Sequence, residues 1–174
     1  KAFKTTADYD MAVHRYLDRA GEFPKTWGLL VNKVGDLRYG ENPHQRAALY
    51  RFGHITAPSV TNATQLGGKE LSYNNILDTD AASELSLEFP RPACVIVKHT
   101  NPCGAATGKD LEDAFQKALR CDPKSAYGGI VAFNGTVTEA LADSIAKKEN
   151  FFEVILAPEY APAALATLKG KVKW

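Results

Sequence analysis

An apolar run that ends in a lysine-histidine pair constrains this chain more than any other stretch. Residues 93–97 carry no charged side chain and are followed directly by Lys98 and His99. A short apolar run of this kind is typical of a strand buried on both faces, as in parallel sheets. Residues 100–104 include Asn-Pro and a glycine, and they predict a loop at the C-terminal end of the strand. Open α/β sheets bind ligands at such strand ends, so we expect a functional site here.

Lys98 and His99 form a candidate acid–base pair. Histidine is the usual proton shuttle near neutral pH, and a lysine ammonium can stabilise a developing oxyanion. On a continuing strand the two side chains would face opposite ways. They can therefore serve one pocket only if the strand ends before or between them. From position alone, a surface lysine beside a histidine that caps a loop is the alternative interpretation.

Alternating apolar patterns predict an α/β fold for the rest of the chain. From residue 93 onward strands alternate with helices, which is typical of βαβ units and a largely parallel sheet. Upstream, residues 5–20 predict a helix that Gly21 ends, and Asp78 or Thr79 is the expected cap of a helix that runs to Phe89. The other predicted elements are strands 29–37 and 47–52, helix 110–120, strand 130–134, helix 138–149, strand 152–157 and helix 161–168.

Two further polar stretches contain candidate binding residues. Arg38 and Tyr39 open the segment 38–46, which lacks periodicity and contains Asn-Pro, as structured loops do. Arginine binds phosphate or carboxylate through two hydrogen bonds, and tyrosine adds a stacking face. A strand-end arginine paired with Glu41 is the equal alternative. The segment 125–129, Ser-Ala-Tyr-Gly-Gly, either offers backbone amides to an anion or forms a plain tight turn before a strand.

The composition excludes several classes of site. With 21 basic and 20 acidic side chains, the net charge is +1, which gives no reason to expect a nucleic acid or an anionic membrane as a partner. The three cysteines form no CxxC pair and fit a reducing compartment. Pro102-Cys103 lacks the His-x-Glu and the second cysteine of a deaminase zinc site. We therefore predict no metal site and a packed Cys103 thiol.

Four motifs, in this order along the chain, carry a resemblance to a known family. They are Leu-Arg-Tyr-Gly-Glu-Asn-Pro-His-Gln at 37–45, Leu-Ser-Tyr-Asn-Asn at 71–75, Val-Lys-His-Thr-Asn-Pro-Cys-Gly at 97–104 and Ser-Ala-Tyr-Gly-Gly at 125–129. Together they resemble the bifunctional purine biosynthesis family, which carries AICAR transformylase (phosphoribosylaminoimidazolecarboxamide formyltransferase) and IMP cyclohydrolase activities. The resemblance covers essentially the whole chain.

The resemblance implies a piece of a longer polypeptide with a specific domain layout. Residues 1–30 would be the C-terminal helix and exit segment of an upstream IMP cyclohydrolase domain. Residues 31–174 would be the first subdomain of the AICAR transformylase domain. We expect that subdomain to have the cytidine-deaminase-like α/β/α fold, as the first of two such subdomains, and to lack the zinc site.

The resemblance also implies a reaction and roles for particular residues. The family transfers a formyl group from 10-formyltetrahydrofolate, a co-substrate, to the 5-amino group of AICAR, which gives FAICAR in de novo IMP biosynthesis. No metal is expected in that chemistry. His99 matches the proton-transfer histidine, and Lys98 matches the lysine that stabilises the transition state. The residues that match substrate-binding positions are Arg38, Tyr39, Gly128 and Glu153.

The partners implied by the resemblance are AICAR, the folate and a second copy of the chain. Family active sites form at a homodimer interface, and we expect a cytoplasmic enzyme with no nucleic-acid or membrane partner. Other binding residues of the family lie in a second subdomain, so the piece alone is expected to be inactive. The alternative is a non-catalytic nucleotide-binding or dimerisation module on the same scaffold.

Overall fold

The chain folds around a four-stranded sheet, with a separate two-stranded hairpin upstream. The computed structural model describes residues 1–18, 23, 26–53, 57–90 and 92–171. Its helices are α1 (Ala2–Leu17), α2 (Tyr73–Leu87), α3 (Leu111–Cys121), α4 (Pro123–Ala126), α5 (Glu139–Ile145) and α6 (Pro162–Lys171), with a 3₁₀ turn at Val60–Asn62. Its strands are β1 (Val31–Leu37), β2 (Ala47–Phe52), β3 (Ala93–Lys98), β4 (Asn101–Thr107), β5 (Gly129–Phe133) and β6 (Phe152–Leu156).

Helices cover both faces of the four-stranded sheet. Successive side chains of a strand point to opposite faces. Val95 and Val97 accordingly pack with Ala82 of α2, while Cys94 and Ile96 pack on the other face in the cluster formed with α3, α5 and α6. Residues 93–97 are all at most 1% exposed, as the apolar run predicts. The predicted α/β fold with three layers, helix on sheet on helix, is confirmed.

The prediction of a largely parallel sheet is wrong. The strand order is β4-β3-β5-β6, and β3 runs antiparallel to both of its neighbours. Among the strands of this sheet, β5 and β6 form the one parallel pair. The residues expected to form a loop after β3 instead begin β4 at Asn101. A continuous apolar run reports that both faces of a strand are buried, and it carries no information on the direction of the neighbouring strands.

The first helix is present, with different bounds. It runs from Ala2 to Leu17 rather than over 5–20, and the predicted stop at Gly21 lies outside the described residues. None of its residues is buried, and Arg15 Nη2 donates to Gly28 O at 2.6 Å. Its assignment to an upstream domain stays a prediction. The helices of the described ranges include none with an apolar stretch sufficient to cross a bilayer.

The second helix begins earlier than predicted because a different residue caps it. Ser72 is the N-cap of α2: its hydroxyl accepts from Asn75 N at 3.2 Å, and Asn75 Oδ1 accepts from Ser72 N at 3.0 Å. This reciprocal pair is a capping box. Asp78 and Thr79, the predicted caps, therefore lie within the helix, and the Asp78 carboxylate is available for another contact.

Candidate active site

A two-residue turn joins β3 to β4 and carries the predicted acid–base pair. Lys98 pairs with Asn101 across the hairpin, and His99 and Thr100 lie between them with φ of 54° and 61°. Two successive positive φ values between paired strands are typical of a type I′ turn, which asparagine and glycine favour. The strand therefore ends between Lys98 and His99, which is the condition that a shared pocket requires.

The Asn-Pro-Cys-Gly segment is an irregular start to an edge strand. Pro102 is tolerated because β4 has a neighbour on one side only. Val97 lies opposite Pro102 and Ile96 opposite Gly104, so Cys103 is the extra residue of a β-bulge. Its Sγ lies 3.5 Å from Ile96 O, and partial burial raises the pKa of the thiol. Within the described residues, no group of three or more His, Cys, Asp or Glu side chains is placed to hold a metal ion.

Lys98 is held beside Gly128. Its Nζ donates to Tyr127 O at 2.8 Å, and a Cβ placed on Gly128 would lie 3.8 Å from that nitrogen. Gly128 has φ of 76°, a conformation that glycine adopts without strain. Its N–H donates to Phe151 O at 2.7 Å, and Ser125 N donates to an Asp122 carboxylate oxygen at 2.9 Å. These two amides are already paired, so a ligand contact at Gly128 would use other atoms.

Arg38 and Tyr39 follow β1 and are tied to the start of α2. Arg38 N donates to Leu71 O at 2.9 Å, and Tyr73 N donates to Tyr39 O at 3.0 Å. The Arg38 guanidinium lies 4.8 Å from the centroid of the Tyr39 ring and donates to its hydroxyl at 3.2 Å. In the part of the chain that the structure describes, Arg38 forms no ion pair with Glu41. The alternative of an Arg38–Glu41 pair is therefore wrong, and the guanidinium is exposed.

Glu153, on β6, is reached by a buried asparagine of α2. Glu153 Oε2 accepts from Asn75 Nδ2 at 2.6 Å. Asn75 is only 7% exposed, and its Oδ1 is already bonded to Ser72 of the capping box. An amide held at both ends is rotationally fixed, so Asn75 sets the position of the exposed Glu153 carboxylate.

The first two turns of α2 therefore contact three segments that carry predicted site residues, those of Arg38, His99 and Glu153. Tyr73 binds the segment of Arg38 and Tyr39, and Asn75 binds Glu153. Asp78 accepts from His99 N at 3.1 Å and from Thr100 N at 2.7 Å. Because β3 runs against β5 and β6, the C-terminal end of β3 lies at the same edge as the N-terminal ends of the other two. Ligands of open α/β sheets are expected at C-terminal strand ends. Among β3, β5 and β6, it is β3 that has its C-terminal end at this edge of the sheet.

A comparison with family models agrees with this arrangement. The model described as the AICARFT/IMPCHase bienzyme matches residues 1–174. The chain belongs to this family. This family is a bienzyme of purine biosynthesis. The match confirms the family that the four motifs predict. The domain boundaries and the roles of individual residues stay predictions.

In this bienzyme family member, a groove beside α2 includes some of the predicted site residues in its lining and leaves out others. A groove of about 1090 Å³ beside α2 has Arg38, Asn75 and Glu153 in its lining, but neither Lys98 nor His99. Arg38 and Glu153 therefore border this groove, whereas Gly128 lies beside Lys98 outside its lining. His99, Arg38 and Glu153 are all exposed.

Sequence reasoning missed several residues that shape this edge of the sheet. The sequence pattern predicts Asp78 only as a helix cap and includes Asn75 only as part of a motif. Tyr127 and Phe151 form an aromatic pair beside Lys98, with ring centroids 5.4 Å apart and side chains 58% and 37% exposed. A contact between a helix side chain and a turn about twenty residues away leaves no spacing signal. Two exposed aromatic residues on separate segments leave none either.

Proposed function

We propose that this chain supplies part of the site that transfers a formyl group from 10-formyltetrahydrofolate to the 5-amino group of AICAR. The products would be FAICAR and tetrahydrofolate, with IMP cyclohydrolase activity in an upstream domain. The proposal depends on one observation, the grouping of predicted site residues around the start of α2. In a member of this family, the first turns of α2 hold the segments of Arg38, His99 and Glu153 at one edge of the sheet.

Formyl transfer requires that the amine of AICAR lose a proton and that N10 of the folate gain one. The amine of AICAR is conjugated with the carboxamide and is a weak nucleophile. Its nitrogen forms a bond to the formyl carbon while the C=O electron pair moves onto oxygen, and collapse of that adduct breaks the bond to N10 of the folate. The amine loses its proton and N10 gains one. A histidine can perform both transfers, so His99 is the proposed proton carrier.

Lys98 is the proposed partner of the developing oxyanion. A fixed ammonium offsets the negative charge that appears on the formyl oxygen, and a donor of this kind contributes about 10²–10³ in rate. Lys98 is suited to this role because its Nζ is bonded to Tyr127 O and therefore held near Gly128. Less reorganisation is then needed as charge develops.

The other four residues are proposed to bind AICAR. The exposed Arg38 guanidinium suits the phosphate, and the Tyr39 ring that supports it limits its freedom. A carboxylate accepts from hydroxyl groups, so Glu153 suits the ribose. Gly128 would contact the nucleotide through atoms other than its paired amide.

We also propose that the complete site needs residues outside this chain. The exposure of His99, Arg38 and Glu153 supports this, because a formyl-transfer site must exclude bulk water. A second subdomain and a partner subunit of a cytoplasmic homodimer would supply the missing walls. Residues 1–174 expressed alone would then bind AICAR weakly and transfer no formyl group.

The test is the substitution His99→Ala in the full-length polypeptide. We expect formyl transfer to fall by about 10²–10⁴, the range of general acid–base catalysis, with AICAR affinity by calorimetry changed less than about threefold. His44→Ala is the matched control, because His44 is also exposed but lies in the 38–46 loop.

Each result separates the candidate functions. Near-normal transfer by the His99→Ala protein would contradict the assignment of His99. A wild-type protein that binds AICAR without transferring a formyl group would instead support a nucleotide-binding module.

A further inference from the structure

The turn after Lys98 has a backbone conformation that its residues do not favour. His99 and Thr100 both have positive φ, at 54° and 61°. Outside glycine this region is sparsely populated, and for a β-branched residue such as Thr100 it is a clear outlier. Conformations of this kind persist only where the surrounding structure determines them, and they concentrate at functional sites.

One side chain binds both strained residues. Asp78 Oδ2 accepts from His99 N at 3.1 Å, and Oδ1 accepts from Thr100 N at 2.7 Å. The His99 carbonyl is also held, since it accepts from Thr100 Oγ1 at 2.7 Å and from Asn101 Nδ2 at 2.8 Å. Hydrogen bonds from amides to an ionised carboxylate are stronger than those between neutral groups. The Asp78 carboxylate reaches the turn from α2, outside the hairpin, whereas the bonds to the His99 carbonyl come from within it.

We propose that Asp78 is a positioning residue for formyl transfer. Its carboxylate holds the His99 and Thr100 amides in the left-handed turn, which ends the strand directly after Lys98 and presents His99 at the edge of the sheet. Asp78 acts through His99 and needs no contact with substrate. The catalytic part of this inference rests on the proposed function.

The geometry predicts a specific consequence of the substitution Asp78→Asn. An asparagine has one acceptor oxygen and an amide that cannot accept a hydrogen bond. One of the two turn amides therefore loses its partner, although the side chain keeps its shape. A displacement of catalytic groups by about 1 Å can cost about 10² in rate.

The experiment compares Asp78→Asn with Asp80→Asn in the full-length polypeptide. Asp80 is an exposed residue of the same helix, so its substitution removes the same charge without touching the turn. For Asp78→Asn we expect kcat to fall about 10- to 100-fold, while KM for AICAR changes less than about threefold. We expect hydrogen exchange in the peptide that spans His99 and Thr100 to accelerate at least about tenfold. Asp80→Asn should change none of these.

A second substitution separates positioning from general stability. Thr100→Gly relieves the strain at one turn position, because glycine adopts positive φ freely. In the Asp78→Asn background it should restore kcat at least severalfold, whereas it cannot repair a general loss of folding.

Two outcomes would overturn the inference: unchanged exchange and kcat in Asp78→Asn, or no rescue by Thr100→Gly. If the wild-type protein transfers no formyl group, the proposed function fails together with the catalytic part of this inference. The exchange comparison would still decide whether Asp78 holds the turn.

Discussion

The two hairpins of this chain both carry predicted site residues in their connections, but they hold those connections differently. β1 and β2 are joined by the nine residues 38–46, and Gln45 closes this loop from within. Gly40 N donates to Gln45 O at 2.9 Å, and Asn42 N donates to Gln45 Oε1 at 2.8 Å. β3 and β4 are joined by two residues only, and the Asp78 carboxylate holds them from another element. The long loop combines these internal bonds with bonds to the start of α2, where Asn74 Nδ2 donates to Glu41 O at 3.1 Å. The two-residue turn of disfavoured residues has no room for such internal bonds between its backbone amides, and both amides bind the outside carboxylate.

The two hairpins also differ in their surroundings. No residue of β1 or β2 is buried, and Val34, Tyr50 and Phe52 are each about half exposed, at 46%, 50% and 45%. β3 is buried along residues 93–97, and β4 lies directly against α3. Changes in the second hairpin should therefore cost far more stability than equivalent changes in the first.

The largest effect is expected from adding one methyl group to a glycine of each hairpin. A Cβ on Gly104 of β4 would lie 2.2 Å from Ala118 O in the backbone of α3, so strand and helix must separate. A Cβ on Gly35 of β1 meets nothing within 4 Å. We expect Gly104→Ala to lower the free energy of unfolding by about 3 kcal/mol, and Gly35→Ala to change it by less than about 0.5 kcal/mol.

Urea unfolding of both variants checks this contrast. Equal losses in the two variants would mean that the first hairpin is packed as tightly as the second. A loss confined to Gly35→Ala would contradict the packing of β4 against α3.

The contrast between the hairpins also explains which parts of the fold the sequence predicts. The sequence predicts a loop for the long connection because residues 38–46 contain glycine and Asn-Pro and have no periodicity. The two-residue turn was missed because His99-Thr100 lacks the asparagine or glycine that marks type I′ turns. Asn101-Pro102, which looks like a turn, instead starts an edge strand where proline costs little.

For the candidate site as well, the sequence predicts some features and not others. Motifs of several residues predict roles for Lys98, His99, Arg38 and Tyr39, because short segments keep their local chemistry wherever they lie in a fold. The contacts that gather those segments could not be predicted in the same way. Asp78 reaches across 21 positions to His99, and Asn75 across 78 positions to Glu153. Such contacts follow from how α2 lies on the sheet, which no local pattern encodes.

A smaller effect should follow from removing the cap of the helix that serves both connections. Ser72→Ala deletes the hydroxyl that accepts from Asn75 N and should lower the free energy of unfolding by about 1 kcal/mol. Because Tyr73 and Asn75 hold Tyr39 and Glu153, we also expect KM for AICAR to rise severalfold. Steady-state kinetics of the full-length polypeptide measures that rise.

Thr138→Ala is the matched control for the cap. Thr138 Oγ1 accepts from Leu141 N at 3.3 Å at the start of α5, whose buried residues pack in the cluster formed with α3 and α6. A similar loss of stability is expected, with kinetics unchanged. If both variants raised KM alike, the link between the α2 cap and the site would be wrong.

The smallest effect concerns the surface contacts of the first hairpin, and it depends on pH. Lys33 Nζ lies 2.7 Å from Asp36 Oδ1, and this pairing lowers the pKa of Asp36 below its usual value of about 3.8. A carboxyl whose pKa is lowered in the folded state adds stability above its unfolded pKa and loses that contribution as pH falls through the folded value. Because both side chains are exposed, water and salt screen the pair. Lys33→Gln should therefore cost a small amount of stability at about pH 7, and the difference from wild type should vanish near about pH 2. A large difference at about pH 7 that disappears in acid would mean that the first hairpin also depends on a carboxylate, as the second depends on Asp78. A difference that persists in acid would mean that the contribution of Lys33 does not come from its pairing with Asp36.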